Sequence, residues 1–314
     1  FIAIALMIIL NLEQSRIMAE HHLIHLEFYF ESLSTCLWPK FDEVFKKYTD
    51  FFFKPTSKNP KLVSNGIHIV TTKLGEFLAL VTMLCKNTTQ SPMLLSRIKQ
   101  IQKQFNQFYS EIADNNKLSM SEREESISVF FINNLFYLLR KLEGFDDVLS
   151  SDDPEGFNKT FSNRMESYLS LLFKKYYDEM NKVVISCSVK NDNLVEKGDN
   201  NLMRSSSIDN TFVNEYNKAE LEKLNKKDLK IIAVNFNSKY RDLIEMAKKD
   251  IYESIKSRDN SRSIYRKYLN EVVVLKYYHF LEILKQSNNE ELVALTVSYQ
   301  KFMIEINNLL KNIN

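Results

Sequence analysis

Apolar residues that recur at every third or fourth position run along most of this 314-residue chain. One such run extends from Leu94 to Phe108, and another extends from Ile127 to Leu142. This spacing puts the apolar side chains on one face of an α-helix, whereas a half-buried strand needs strict alternation, which no long stretch shows. The pattern predicts an all-α protein in which each helix buries one face against its neighbours.

Sequence signals for the start of a helix precede several of these runs. Ser91–Pro92 and Asp153–Pro154 each place a capping side chain before a proline, whose missing N–H costs nothing at the first helical position. Ser121 with Glu124 forms a capping box. Short connections make neighbouring helices antiparallel, which predicts an elongated rod of stacked antiparallel helical bundles. The predicted helices are residues 1–20, 22–53 with a bend near Pro39, 64–86, 92–114, 121–143, 154–186, 211–258, 261–286 and 289–312.

Two interruptions divide these helices. The stretch from Gly144 to Gly156 is rich in aspartate, and we place a boundary there between an N-terminal bundle at residues 1–143 and a C-terminal bundle at residues 144–314. Residues 190–210 hold few apolar side chains, so burial cannot offset the entropy lost on ordering them. We predict a mobile loop in that segment.

The residue content argues against an enzyme. The five glycines lie far apart, so no loop can bring clustered backbone N–H groups to a phosphate. His21 and His25 share a helix face, but His22 stands where a zinc protease carries its glutamate. No nucleophile and base occur at a known catalytic spacing, and the net charge of +2 gives no large field of one sign. We predict no catalytic residue, cofactor, metal, small-molecule substrate or nucleic acid.

The compartment is indicated by the cysteines and by the first residues. Cys36, Cys85 and Cys187 are isolated and odd in number, which suits a reducing cytosol, and we expect them to be buried. Residues 1–10 are almost wholly apolar, but they cover only about half of the length that a membrane-spanning helix needs. We interpret them as a core helix of a larger protein.

Two strings have a spacing and composition that no general physical rule requires. The first is Leu37–Phe41, which reads Leu-Trp-Pro-Lys-Phe, and the second is His68–Phe77, which reads His-Ile-Val-Thr-Thr-Lys-Leu-Gly-Glu-Phe. Together they resemble the C-terminal region of the vacuolar protein sorting-associated protein 52 family. Shorter strings at residues 2–10, 129–134, 234–240 and 260–264 are similar to segments of that family in the same order, which extends the resemblance to about Leu284.

This resemblance implies a non-catalytic subunit of a vesicle-tethering complex with the helical fold of such subunits, known as CATCHR. The family is shared by the Golgi-associated retrograde protein and endosome-associated recycling protein complexes, abbreviated GARP and EARP, which act in transport from endosomes to the trans-Golgi network. Implied partners are companion subunits, a Rab GTPase and SNAREs. The implied location is cytosolic and peripheral at the trans-Golgi network and endosomes.

Two groups of residues are candidates for partner binding or for the family signature. For Trp38 and Phe41 the alternatives are a plug that fills the bundle at a proline-induced bend and a surface notch for a partner. The helix at residues 272–284 is apolar on every face, so it is either central in its bundle or covered by another subunit. The candidates are Trp38, Pro39, Lys40, Phe41, His68, Thr71, Glu76, Phe77, Tyr277 and Tyr278.

Two other functions fit the same architecture. One is a subunit of another multisubunit tether, of the exocyst or conserved oligomeric Golgi type. The other is a lipid-binding helical scaffold that holds membranes through its basic faces, and its binding would rise with anionic lipid and fall with salt.

Overall fold

The computed structural model describes residues 2–53, 66–86, 92–114, 120–144, 156–188, 216–287 and 290–313. These ranges are helical apart from turns, short links and one isolated antiparallel bridge between Ser188 and Tyr216, and they contain no β-strand. The prediction of an all-α chain is confirmed. The rod and the boundary between residues 143 and 144 stay predictions, and the loop predicted at residues 190–210 lies outside the described ranges.

The helices follow the apolar periodicity closely. α4 begins at Pro92, the residue predicted to be its first, and α5 begins within two residues of its predicted start. Their bounds are α1 Ile2–Glu20, α2 Ile24–Phe53, α3 Ile69–Lys86, α4 Pro92–Asp114, α5 Met120–Lys141, α6 Phe157–Cys187, α7 Lys218–Glu222, α8 Lys226–Ser254, α9 Arg258–Lys267, α10 Val274–Gln286, α11 Glu290–Val293 and α12 Tyr299–Lys311, with a π-helical segment at Tyr268–Val273 between α9 and α10.

Several details differ from the predicted helices. The helix expected at residues 211–258 is divided into α7 and α8, and the one expected at residues 289–312 is divided into α11 and α12. α2 passes through Pro39 without ending. Cys36 is exposed on α2, contrary to expectation, while Cys187 is buried as expected, and both are free thiols. None of the described helices has the length and apolar content that a bilayer-spanning helix needs.

The chain forms two compact units. Unit 1 comprises Phe1–Tyr168 with Ser254–Asn260, and unit 2 comprises Leu169–Glu253 with Ser261–Asn314. The first half of α6 belongs to unit 1 because its side chains pack there: the ring of Phe157 meets that of Phe105 edge to face at 5.4 Å.

Unit 1 is built around a helical hairpin and a close helix pair. α1 and α2 form the hairpin, and Asn11 joins them by donating to the backbone oxygen of Phe30 at 2.6 Å and to the hydroxyl of Ser34 at 2.7 Å. α3 approaches α5 closely at Gly75, where a Cβ atom would lie 3.3 Å from the side chain of Leu138. Glycine is therefore used here for helix packing.

Unit 2 is built around stacked aromatic side chains. The ring of Phe236 on α8 stacks on Tyr277 of α10 at 4.4 Å and meets Phe302 of α12 at 5.8 Å. Two irregularities shape its helices: α6 is kinked at Tyr177, where φ is −132° and ψ is 39°, and the π-helical segment precedes α10. Helical periodicity predicted neither irregularity.

Candidate interaction surfaces

The Trp-Pro string lies in the middle of α2 and has a buried and an exposed side. Phe41 is fully buried in the core of unit 1, and its ring stacks on that of Phe45 at 5.9 Å. Trp38 is only half-buried and meets Phe41 edge to face at 5.6 Å. Pro39 and Lys40 are exposed, and Lys40 pairs with Glu43 at 2.7 Å. The string therefore presents Phe41 to the core and Trp38 to the margin of that core.

The His-Ile-Val string begins α3 through an unusual cap. The ring nitrogen Nδ1 of His68 accepts a hydrogen bond from the backbone N–H of Val70 at 3.2 Å, and the carbonyl of His68 accepts from the backbone N–H of Thr72. The first N–H groups of a helix have no partner within the helix, and a capping side chain supplies one. His68 thus fills the role that serine or aspartate usually has.

Asn134 on α5 holds this cap in place from across unit 1. Its Oδ1 accepts from the backbone N–H of His68 at 2.8 Å and from the hydroxyl of Thr71 at 2.6 Å, while Tyr109 hydrogen-bonds Thr71. Its Nδ2 donates to the carbonyl of Phe130 at 2.8 Å. Asn134, Thr71 and Tyr109 are all fully buried. Their hydrogen bonds fix the start of α3 against α4 and α5.

The neighbouring residue, Asn133, makes a similar pair of contacts in another direction. Its Nδ2 donates to the carbonyl of Ser254, and its Oδ1 accepts from the backbone N–H of Lys256, both at 3.0 Å. These bonds hold the Ser254–Asn260 segment in unit 1. Of the residues that make these contacts, Tyr109 was missed from sequence, and Asn133 and Asn134 were noted only as part of the string at residues 129–134, although two adjacent asparagines inside the apolar run of α5 were a visible signal.

The ring of His68 is surrounded by aromatic side chains. It lies edge to face against Phe108, Tyr109 and Phe130, with centroid distances of 5.9 to 6.4 Å. Burial among these rings lowers the pKa of His68, because the protonated imidazolium loses more hydration than the neutral ring. The cap also requires a neutral ring, since Nδ1 must accept a hydrogen bond from the backbone N–H of Val70.

The remaining candidates divide between core and surface. Phe77 is buried and contacts three aromatic rings of α2, among them Tyr48 at 5.9 Å, whereas Glu76 is exposed. Tyr277 is fully buried and donates to the carbonyl of Val297. Tyr278 is 37% exposed. The helix that carries both tyrosines is therefore mostly inside unit 2, with one side open.

An exposed apolar surface lies on the α1–α2 hairpin. Leu6, Met7 and Leu10 stand on one face of α1 with exposures of 43%, 54% and 61%, and we call these three residues the α1 stripe. Residues 2–12 carry no charge. Around the turn, large apolar side chains are also exposed: Leu23, Ile24, Leu26, Phe28 and Tyr29. A helix that is apolar on all sides is normally covered.

Within the described ranges, no group of three or more histidine, cysteine, aspartate or glutamate side chains is placed to hold a metal ion. What the structure offers is a fully helical scaffold with a buried polar network and exposed apolar helix faces. These features are typical of a helical subunit that binds other proteins.

Comparison with known proteins defines the family. Residues 1–169 match the family model described as Vps52, C-terminal. The chain therefore belongs to the Vps52 family, and the resemblance inferred from the two strings is confirmed. No curated protein and no solved structure matched the chain. The family is one of non-catalytic tethering-complex subunits.

The matched range ends at residue 169, one residue after the main segment of unit 1. Unit 1 therefore contains the part of the chain that defines the family, including both signature strings and the Asn134 network. The similarities at residues 234–240 and 260–264 lie outside the matched range and stay predictions.

Proposed function

We propose that this protein is a non-catalytic subunit of a tethering complex of the GARP and EARP type, acting in transport from endosomes to the trans-Golgi network. The observation that carries the proposal is the α1 stripe on a chain of the Vps52 family. Three large apolar side chains at helical spacing, without a charge among them, match the apolar face of a companion helix, as in helix-to-helix recognition generally. Companion subunits are thus the partners that we assign to this surface.

The finer elements of the proposal follow from the family resemblance. They are attachment at the trans-Golgi network and endosomes through partners, and contacts with a Rab GTPase and SNAREs. Exposed Tyr278 on α10 is a second candidate contact, because tyrosine is enriched at protein interfaces.

Affinity purification of the tagged full-length protein from its own cells, with identification of the recovered proteins, tests the function. We expect subunits of one tethering complex in near-equal amounts. Recovery of subunits of a different tether, or of no tether subunit, would refute the proposal. Binding to protein-free anionic vesicles that disappears at high salt would favour the lipid-binding scaffold instead.

Charge substitutions test the α1 stripe itself. Met7→Glu with Leu10→Glu should abolish recovery of at least one companion while leaving helicity and melting temperature unchanged, because both side chains are already exposed. The matched control is Gln300→Glu with Asn307→Asp, which adds the same charge on exposed positions of α12. Full recovery of every companion by the α1 variant would exclude the stripe as the docking surface.

A further inference from the structure

A cleft of about 340 Å³ lies between α2 and α4 in unit 1. Its α2 side is formed by Thr49, Asp50 and Phe53, and its α4 side by Gln104, Gln107, Phe108 and Glu111. Both helices belong to the range that defines the family, but the cleft contains no residue of either signature string. The cleft is therefore a different feature from the two signature strings.

Two carboxylates, those of Asp50 and Glu111, line the cleft. Asp50 and Glu111 are both exposed, and neither takes part in an ion pair with any described residue. Among the described residues, only the neutral amide of Gln107 donates a hydrogen bond to Glu111, at 3.0 Å. No lining side chain in the described part of the chain is positively charged. The cleft therefore favours a cation and repels an anion.

The rest of the lining is suited to a long side chain with a polar end. The rings of Phe53 and Phe108 meet edge to face at 5.8 Å and provide an apolar wall. The Oε1 atom of Gln104 is buried without a hydrogen bond, which is costly for an amide oxygen. An N–H donor that enters the cleft gives this oxygen a partner, while an apolar stem covers the rings.

We propose that this cleft binds a lysine or arginine side chain from a basic segment of a partner protein. Aliphatic stems of these side chains pack on apolar surfaces while their charged ends stay near water and carboxylates, and a guanidinium can also lie over an aromatic ring. The inference rests on the proposed function only for the identity of the partner, which would be a subunit or a cargo protein of the tethering complex. The chemistry of recognition depends on the cleft alone.

Calorimetric titration of the full chain with a capped tri-arginine peptide tests the proposal, with a capped tri-citrulline peptide as the neutral analogue. We expect binding of the arginine peptide that weakens as salt rises, since the carboxylates are exposed. Asp50→Asn with Glu111→Gln should weaken it at least tenfold. Glu31→Gln with Glu143→Gln removes the same charge from exposed positions of unit 1 and should change the affinity less than twofold.

Three outcomes would overturn the proposal: equal affinity of the two peptides, equal loss in both double variants, or no loss in the cleft variant. A fourth concerns the chain's own lysines at residues 54, 58 and 61. If the peptide binds only after these lysines are changed to glutamine, the cleft is occupied by a lysine of the chain itself. That result would overturn the proposal that it binds a partner. Because this titration needs no other subunit, its failure would leave the purification of companion subunits unaffected.

Discussion

At the scale of single residues, three residues of the strings that resemble the family meet in one polar network. His68, Thr71 and Asn134 stand in strings that no periodicity rule explains, and the structure joins them by hydrogen bonds at 2.6 to 2.8 Å. Buried polar groups are tolerated only where each has a hydrogen-bond partner, so replacing one residue leaves the others with unsatisfied groups in the core.

Replacing Asn134 with alanine tests this network. The change leaves the Thr71 hydroxyl and the N–H of His68 without their acceptor inside the core, and we expect the free energy of unfolding to fall by about 2–4 kcal/mol. Urea denaturation measures it. Asn307→Ala on the exposed face of α12 serves as the control and should stay within about 0.5 kcal/mol of the parent. A similar loss in both variants would contradict the network.

The cap at His68 should also make stability depend on pH. Burial lowers the folded-state pKa of His68 below its ordinary value of 6.5, so the unfolded chain takes up a proton first as the pH falls. The stabilisation is complete above about pH 6.5 and is lost as the pH falls from there towards the folded-state pKa.

Urea midpoints between pH 7.5 and pH 5 check this for the parent and for His68→Asn, which can still cap the helix but does not titrate. We expect the parent to lose more stability than the variant. The comparison also removes the contribution of His279, whose pKa is lowered by burial and by Lys276 in both proteins. Parallel curves for the two proteins would show that the cap does not titrate.

At the scale of elements, α2 explains why a proline can stand inside a long helix. Proline lacks the N–H that would bond the carbonyl four residues earlier, at Thr35. Both Thr35 and Pro39 are exposed, so water can reach that carbonyl. The inner face of the same helix carries Phe41 and Phe45, whose burial holds α2 against the bundle.

Truncation of the two aromatic residues of the Trp-Pro string should therefore have unequal effects. Phe41→Ala empties a fully buried site and should lower the free energy of unfolding by about 3–5 kcal/mol. Trp38→Ala removes a half-buried ring and should lower it by only about 1–3 kcal/mol. Thermal or urea unfolding measures both. If Trp38→Ala leaves stability unchanged but removes a companion in purification, the partner notch is the correct alternative.

At the scale of the whole molecule, the chain does not divide into units at one point in sequence. The Ser254–Asn260 segment belongs to unit 1 although the residues on either side of it belong to unit 2. Asn133 provides two of the hydrogen bonds that hold this segment. The stability of unit 1 should therefore depend on residues far beyond the range that defines the family.

Comparison of the full chain with a fragment of residues 1–169 tests this dependence. Asn133→Ala should lower the free energy of unfolding of the full chain by about 1–3 kcal/mol, since two part-buried backbone groups of the segment lose their hydrogen-bond partner. In the fragment, which lacks the segment, the same substitution should change stability by less than about 0.5 kcal/mol. Equal effects in the two proteins would indicate that Asn133 acts within residues 1–169 alone.

The positions of several helices were determined by sequence alone, because the apolar face and the caps of a helix are local features. α4 begins at the predicted Pro92, the run at residues 94–108 lies within α4, and the run at residues 127–142 lies within α5 except for its last residue. The family could also be inferred from two short strings. Local patterns gave no reason, however, for the particular residues in those strings.

Only the tertiary structure decided which polar groups meet and which apolar faces stay open. The Nδ1 cap of His68 depends on Asn134, which lies 66 residues away, and the Ser254–Asn260 segment depends on Asn133. The kink at Tyr177 and the π-helical segment had no signal in the apolar periodicity, and residues 1–10 gave no sign that α1 would expose one apolar face. The reason is physical: helix formation is governed by neighbours in sequence, whereas pairing and exposure are governed by neighbours in space.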